Sequence, residues 1–126
     1  MKYILLCVLF LPVFSFASIP IEPDIKHQVA RYSADANLDV GLVLEIARCE
    51  STFNPNARSK TNDVGVMQIN LKYHLEKSKK LGYDVFKTLD NIRYGIYLIQ
   101  TDGPRRHYSA SEKCWNPKIK LALLDD

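Results

Sequence analysis

The glutamate Glu50 stands at the end of a strongly apolar segment, and this position gives it the potential for acid chemistry. Residues 40–51 carry apolar side chains at helical spacing, which predicts a central helix with Asp39 as its N-cap: Leu42, Val43, Ile46 and Ala47. Burial and the negative end of the helix dipole both disfavour a charged carboxylate, so the pKa of Glu50 should be raised. A carboxylic acid still protonated near neutral pH can protonate a glycosidic oxygen. The alternative is a surface glutamate in the last helical turn.

Three segments at and after Glu50 together resemble one known family. Residues 46–59 (IARCESTFNPNARS) look like the first motif of the transglycosylase SLT domain, and residues 64–70 (VGVMQIN) resemble its second motif, G-[LV]-M-Q-I-N. Residues 90–98 (DNIRYGIYL) resemble the third motif, a helix that carries N-I-x-x-G followed by a leucine. The resemblance covers about residues 25–110 and implies a lysozyme-like fold.

The resemblance implies that Glu50 is the general acid and base of a peptidoglycan lytic transglycosylase. It would protonate the oxygen between N-acetylmuramic acid and N-acetylglucosamine, and the muramyl 6-hydroxyl would then close a 1,6-anhydro ring with help from the N-acetyl group. Such a scheme requires no second carboxylate, whereas ordinary retaining glycosidases place one about 5 Å away. Asp63 and Glu45 remain available as water-activating bases, with solvated or capping acids as the alternative.

Further roles follow from the resemblance, position by position. Ser59, Met67 and Gln68 are expected near the sugar, with Gln68 hydrogen-bonding an N-acetyl group or a glycan hydroxyl. A second set is expected to hold the loops in place: Gly65, Asn70 and Asn91.

The fourth motif departs from the family pattern. Its best match is Tyr108-Ser109-Ala110-Ser111, in which the tyrosine and alanine of Y-N-A-G are kept and the asparagine and glycine are not. Tyr108 is expected to hydrogen-bond and position Glu50 at the substrate site, with a surface tyrosine as the alternative. Trp115 could stack on a sugar ring or simply pack in the core.

The N-terminal residues 1–17 have the features of a secretory signal peptide. Lys2 precedes an apolar run, and Ser15-Phe16-Ala17 supplies a small-residue cleavage site. The alternative is a retained anchor, but the run is shorter than the roughly 20 residues that span a bilayer. We therefore expect a periplasmic or secreted domain over residues 18–126, with no stable membrane span after cleavage.

Two cysteines, Cys49 and Cys114, remain after this cleavage. In an exported protein an even pair indicates a disulfide, which would tie the tail to the Glu50 helix. Two unpaired thiols are the alternative.

The predicted fold class is mainly α, a lysozyme-like compact bundle of short helices in a single domain. Helices are expected over residues 24–37, 40–51, 71–80 and 90–101. No strand signal is strong. The pattern after residue 105 is harder to interpret, apart from a last helical turn over 119–124.

Several function classes are disfavoured. The net charge of +3 falls to +2 when Lys2 is removed (3 − 1), and no dense basic stripe with aromatics indicates nucleic-acid binding. His27, His74 and His107 lack metal-ligand spacing, and no phosphate-binding glycine loop is present, so no metal or cofactor is expected.

The expected partners are peptidoglycan glycan strands and, by similarity to small specialised enzymes, components of a secretion, conjugation or pilus system. Two alternatives stay open. A hydrolytic muramidase on the same fold would use water in place of the sugar hydroxyl, and a catalytically impaired protein would only bind glycan or serve as a scaffold.

Overall fold

The computed structural model describes residues 23–118, and the regular elements in this range are mostly helices. In chain order they are α1 (Ile25–Asp35), α2 (Val40–Ser51), β1 (Asp63–Val64), β2 (Ile69–Asn70), α3 (Leu71–Lys80), α4 (Thr88–Asp102), α5 (Pro104–Tyr108), a 3-10 turn (Ser109–Ser111) and α6 (Glu112–Trp115). The mainly α class is therefore confirmed.

Short polar side chains fix where three of the helices begin. Asp24 accepts a hydrogen bond from the backbone N–H of Lys26 at the start of α1, and Asp39 accepts one from Leu42 at the start of α2. Asn70 caps α3 in the same way. Each cap satisfies a backbone donor that has no partner inside the helix.

The core lies between α2 and α4, with α1 packed against both. Both helices contribute completely or almost completely buried apolar side chains: Val43, Ile46, Ala47, Ile92, Leu98 and Ile99. This packing explains why the apolar periodicity located both helices. The end of α2 that carries Glu50 is held on this rigid support.

Two strands of two residues form an antiparallel hairpin that the sequence did not predict. Asp63 pairs with Asn70, and Val64 pairs with Ile69. The connection between them requires Gly65, whose φ is 77° and whose added Cβ would lie 2.4 Å from Nδ2 of Asn91. A side chain at residue 65 would therefore displace Asn91.

The C-terminal part of the described chain differs from the expectation in detail. α4 starts at Thr88 rather than at Asp90, and Gly103-Pro104 ends it as expected. Pro104 then begins α5, because proline fits the first helical position, where its missing N–H costs nothing. The predicted helical turn over 119–124 and the predicted signal peptide over 1–17 lie outside the described residues.

A disulfide joins Cys49 on α2 to Cys114 on α6, with 6.1 Å between the Cα atoms. This is the predicted pairing. It fixes the short helices after α4 against the end of α2 that carries Glu50. No helix within residues 23–118 has the length and apolar character needed to cross a membrane.

Reduction of the Cys49–Cys114 bond should lower the free energy of unfolding by about 4 kcal/mol, because the unfolded chain loses a long closed loop. Urea unfolding with and without reductant measures the difference. The double variant Cys49→Ser/Cys114→Ser is the control and should not respond to reductant. Equal midpoints for the oxidised and reduced protein would contradict a stabilising role.

Candidate active site

Glu50 lies in the last turn of α2, half-buried, with one hydrogen bond to its carboxyl. Ser111 donates from its hydroxyl to Oε1 of Glu50. Burial raises the pKa of Glu50, the Ser111 hydrogen bond partly opposes the rise, and the charge of Asp63 adds to it. The net result is a raised pKa, as the apolar helix and its dipole predicted. Glu50 is therefore suited to hold a proton that it can donate.

Ser111 reaches Glu50 because the chain after α4 folds into a 3-10 turn directly above α2. The Ser111 hydroxyl also contacts the carbonyl oxygen of Tyr108 at 3.2 Å, and the Trp115 indole N–H donates to the same oxygen at 3.0 Å. Trp115 is only 4% exposed, so its ring packs in the core and offers no face to a sugar. The tail thus forms a wall beside Glu50.

The expected hydrogen bond between Tyr108 and Glu50 is absent. The Tyr108 ring is buried, and its hydroxyl has no hydrogen-bond partner among residues 23–118. The 3-10 turn that follows Tyr108 presents Ser111 to Glu50 instead. Burial and then the charge of Glu50 raise the pKa of Tyr108, so its hydroxyl stays neutral.

Met67 also lies beneath the site rather than on its surface. Its side chain is completely buried, so the expected contact with a sugar is not possible for this side chain. A Cβ added to Gly95 would lie 2.6 Å from Cβ of Met67 and 3.0 Å from the Tyr108 hydroxyl. Gly95 therefore lets Met67 and Tyr108 pack tightly against α4.

Asn91 on α4 makes three side-chain hydrogen bonds, and two of them hold the hairpin and its connection. Its amide nitrogen donates to the carbonyl oxygens of Val64 and Val85, and its side-chain oxygen accepts from the backbone N–H of Met67, each at 2.9 Å. Asn91 is buried, so these bonds form away from water. This contact fixes the position of the loop that starts at Gly65.

Asp63 is the acceptor at the centre of a polar cluster at the start of the hairpin. Ser59 and Thr61 donate from their hydroxyls, and Asn70 donates from its amide nitrogen at 2.7 Å. Partial burial raises the pKa of Asp63. The hydrogen bonds together lower it by more than burial raises it, so the net shift is downward. The pKa values of Asp63 and Glu50 are therefore shifted in opposite directions.

Gln68 stays partly exposed in a left-handed conformation, with a φ of 44°. Its amide nitrogen donates to the carbonyl oxygens of Ala57 at 3.2 Å and Gly65 at 3.0 Å. These bonds orient the side chain within the loop. Ser59 is also half-buried and directs its hydroxyl to Asp63, so both predicted sugar contacts lie on the hairpin side.

A pocket of about 530 Å³ opens beside Asp63, between α3 and α5. We call it the α3–α5 pocket, and its lining residues are Asp63, Asn70, Tyr73, His74, Lys77, Asp102, Arg106 and His107. Sequence reasoning had assigned no function to Tyr73, Lys77 or Arg106. It had likewise given no role to Ser111 beyond the motif that contains it. No local sequence pattern indicates a role for these residues, because their contacts depend on how α5 and the tail fold back.

No group of three or more histidine, cysteine, aspartate or glutamate side chains within residues 23–118 is arranged to hold a metal ion. The site instead contains two carboxyls, Glu50 and Asp63, and the charge of Asp63 acts on Glu50. Two carboxyls whose surroundings shift their pKa values in opposite directions are typical of acid–base sites.

Comparisons with known proteins agree with this geometry. Residues 28–103 match the family model of the transglycosylase SLT domain, which is more than half of the chain. Among solved structures, the chain resembles an inactive mutant of the lytic transglycosylase Slt from Pseudomonas aeruginosa, with a TM-score of 0.54 and 22% identity. The match covers 75% of this chain and 17% of that protein, so it supports the fold. No curated protein sequence matches the chain.

Replacement of Glu50 by glutamine should stabilise the fold at neutral pH. A carboxyl with a raised folded-state pKa stabilises the protein below its unfolded-state pKa, and this contribution is lost as pH rises through the folded-state value. Thermal unfolding should therefore give Glu50→Gln a higher Tm than the wild type at pH 7.5 and a smaller difference at pH 4. The exposed Glu76→Gln variant is the control. A wild type more stable than Glu50→Gln at pH 7.5 would contradict the raised pKa.

Proposed function

This chain belongs to the transglycosylase SLT domain family, and on that premise we propose that it cleaves peptidoglycan strands as a lytic transglycosylase with Glu50 as its acid. The observation that carries the proposal is the raised pKa of a half-buried carboxyl at the end of α2. A raised pKa extends the pH range over which such a group can give a proton to a glycosidic oxygen.

In the proposed reaction Glu50 first donates its proton to the oxygen that links N-acetylmuramic acid to N-acetylglucosamine. The bond from the muramyl C1 to that oxygen breaks, and the N-acetyl oxygen of the same muramyl ring closes on C1. The ionised Glu50 then accepts the proton of the muramyl 6-hydroxyl. At the same time the 6-hydroxyl oxygen attacks C1 and displaces the N-acetyl oxygen. The product is a 1,6-anhydro ring, and no water is consumed.

The neighbours of Glu50 fit this cycle of proton transfer. The Ser111 hydroxyl donates to the carboxylate and so stabilises the ionised form that exists between the two steps. Burial favours the protonated form needed at the start. We assign Gln68 and Ser59 to the sugar-facing side, whereas Met67 and Tyr108 support the site from beneath.

A hydrolytic muramidase is the second candidate, and Asp63 is the observation that favours it. Three side-chain donors keep Asp63 ionised, and its charge acts on Glu50. A carboxylate in this position could stabilise the developing positive charge on the sugar or activate a water molecule. Glu45 is less suited to that role, because it is paired with Arg48 at 2.9 Å on the exposed side of α2.

We further propose that the chain acts outside the cytoplasm, where its substrate lies. The signal-like residues 1–17 and the Cys49–Cys114 disulfide both favour an oxidising, exported setting. Local opening of the wall for a secretion, conjugation or pilus system is the role that we infer from the resemblance to small specialised enzymes.

Digestion of purified sacculi, read by mass spectrometry, tests the proposal. The chain without residues 1–17 should release anhydro-muropeptides, and Glu50→Gln should lower the rate at least about 100-fold, because it cannot donate the proton. Asp63→Asn separates the candidates, since it should abolish hydrolysis but leave anhydro products. Reducing-end products, one water heavier, would identify a muramidase. Bound but uncut sacculi with the wild type would favour a glycan-binding protein.

Replacement of Ser111 by alanine should move the pH profile of the enzyme. Loss of this hydrogen bond removes the interaction that lowers the pKa of Glu50, so the pKa should rise further. Because Glu50 must be protonated, kcat/KM falls as pH rises through the pKa of Glu50. This fall should occur at a higher pH in Ser111→Ala than in the wild type. Ser109→Ala, on the exposed side of the same turn, is the matched control. A profile that does not move would show that Ser111 does not act on the catalytic proton.

A further inference from the structure

The α3–α5 pocket opens beside the catalytic carboxyl, because Asp63 lines the pocket and also acts electrostatically on Glu50. Its volume of about 530 Å³ is in the range of small-molecule binding sites. α3 begins directly after the hairpin, at Leu71, so its side chains continue the surface on which Asp63 lies. A glycan strand held at Glu50 would therefore extend toward this pocket.

The floor of the pocket is made of groups that already have partners. The rings of His74 and His107 meet edge to face, with 5.1 Å between their centroids. His107 bonds Asp102 through Nε2 at 2.8 Å, and His74 bonds the Tyr94 hydroxyl at 3.0 Å. The polar cluster around Asp63 is likewise saturated by its donors. These groups are thus occupied within the protein and shape the pocket.

Two cations at the pocket are not paired in this way. Lys77 lies on α3 and Arg106 on α5, and neither forms an ion pair within the part of the chain that the structure describes. Lys77 is 5.7 Å from the ring centroid of Tyr97, a contact that keeps its charge. Burial, followed by nearby positive charges, lowers the pKa of His74. The pKa of Asp102, which also lines the pocket, is lowered by its hydrogen bond to a histidine, and the charges of Lys77 and Arg106 help to lower it.

An aromatic ring stands exposed at the same pocket. Tyr73 is 69% exposed, the largest value among the exposed large apolar and aromatic side chains of residues 23–118. Lys72 lies over one face of the ring, with its Nζ 5.5 Å from the ring centroid, which leaves the other face for a ring with C–H groups. Tyr73 and Lys77 are four residues apart on α3, so the ring and the cation share one face of the helix.

From this combination we propose that the α3–α5 pocket binds a carboxylate-bearing muramyl unit of the strand, with Tyr73 against the sugar ring and Lys77 and Arg106 on the carboxylate. The inference rests on the proposed function, since it takes the strand to be peptidoglycan. Two sources supply such a carboxylate. Stem peptides carry free carboxylates, and a muramyl unit without its peptide has a free lactyl carboxylate. The pocket makes the enzyme selective for charged strands over neutral glycans.

The test measures binding in a Glu50→Gln background, so that no strand is cut and a failure of catalysis does not affect the result. The pocket variant adds Lys77→Gln and Arg106→Gln. The matched control adds Lys80→Gln and Arg31→Gln, two cations outside the pocket, and so has the same net charge. The ligands are soluble strands with stem peptides, strands freed of peptides by an amidase, and chitooligosaccharides without any carboxylate.

The pocket variant should bind carboxylate-bearing strands about tenfold more weakly than the control does, and the difference should shrink at high salt. Its affinity for chitooligosaccharides should not change. A loss confined to peptide-bearing strands identifies stem carboxylates, and a loss confined to peptide-free strands identifies the lactyl group. Equal affinities of the pocket and control variants for every ligand, or an equal loss on chitooligosaccharides, would overturn the proposal.

A separate variant tests the aromatic part. Tyr73→Ala should weaken binding of all three ligands about three- to tenfold, and Tyr73→Phe should bind like the parent, because stacking needs the ring and not the hydroxyl. Unchanged affinity in Tyr73→Ala would remove Tyr73 from the proposed subsite. The Tm of each variant is measured by thermal unfolding. A Tm near that of the parent establishes that the substitution changes binding and not folding.

Discussion

The site depends on one junction, at which the end of α2 is joined to the short helices after α4. The disulfide from Cys49 to Cys114 and the hydrogen bond from Ser111 to Glu50 lie side by side there, one residue apart on α2 and three apart on the tail. The covalent bond keeps the tail against α2. The tail in turn covers Glu50, and burial is the largest contribution to its raised pKa. Stability and acidity therefore have a common structural origin.

The hairpin adds a second carboxyl whose surroundings act in the opposite direction. Glu50 is poorly solvated with one donor, while Asp63 has three side-chain donors, so the pKa of Glu50 is raised and that of Asp63 is lowered. The hairpin keeps its position through Asn91 on α4, and Gly65 leaves the space that Asn91 needs. A two-residue ladder this short has little stability of its own. Its tertiary anchor on α4 is what makes the geometry reproducible.

Periodicity and motif resemblance predicted the helices, the mainly α class, the family and the environment of Glu50, because these features are local in the sequence. The hairpin was missed because two-residue strands show no alternation, and α5 and α6 are too short for a helical pattern. Met67 and Tyr108 were placed at the sugar, although tight packing against Gly95 buries them. The partner of Glu50 was wrong for a related reason. Tyr108 and Ser111 lie in the same four-residue segment, and only the fold of the tail decides that Ser111 is the one that reaches Glu50.

The cations of the α3–α5 pocket lie where they do not lower the pKa of Glu50. A lysine or arginine next to Glu50 would stabilise its ionised form and lower the pKa that acid catalysis needs. Within residues 23–118 the interactions that set this pKa are burial, Ser111 and Asp63, and the pocket cations are not among them. Lys77 and Arg106 lie instead on α3 and α5, near Asp102 and beyond Asp63. Under the proposed function, these charges attract an anionic strand without lowering the pKa of Glu50.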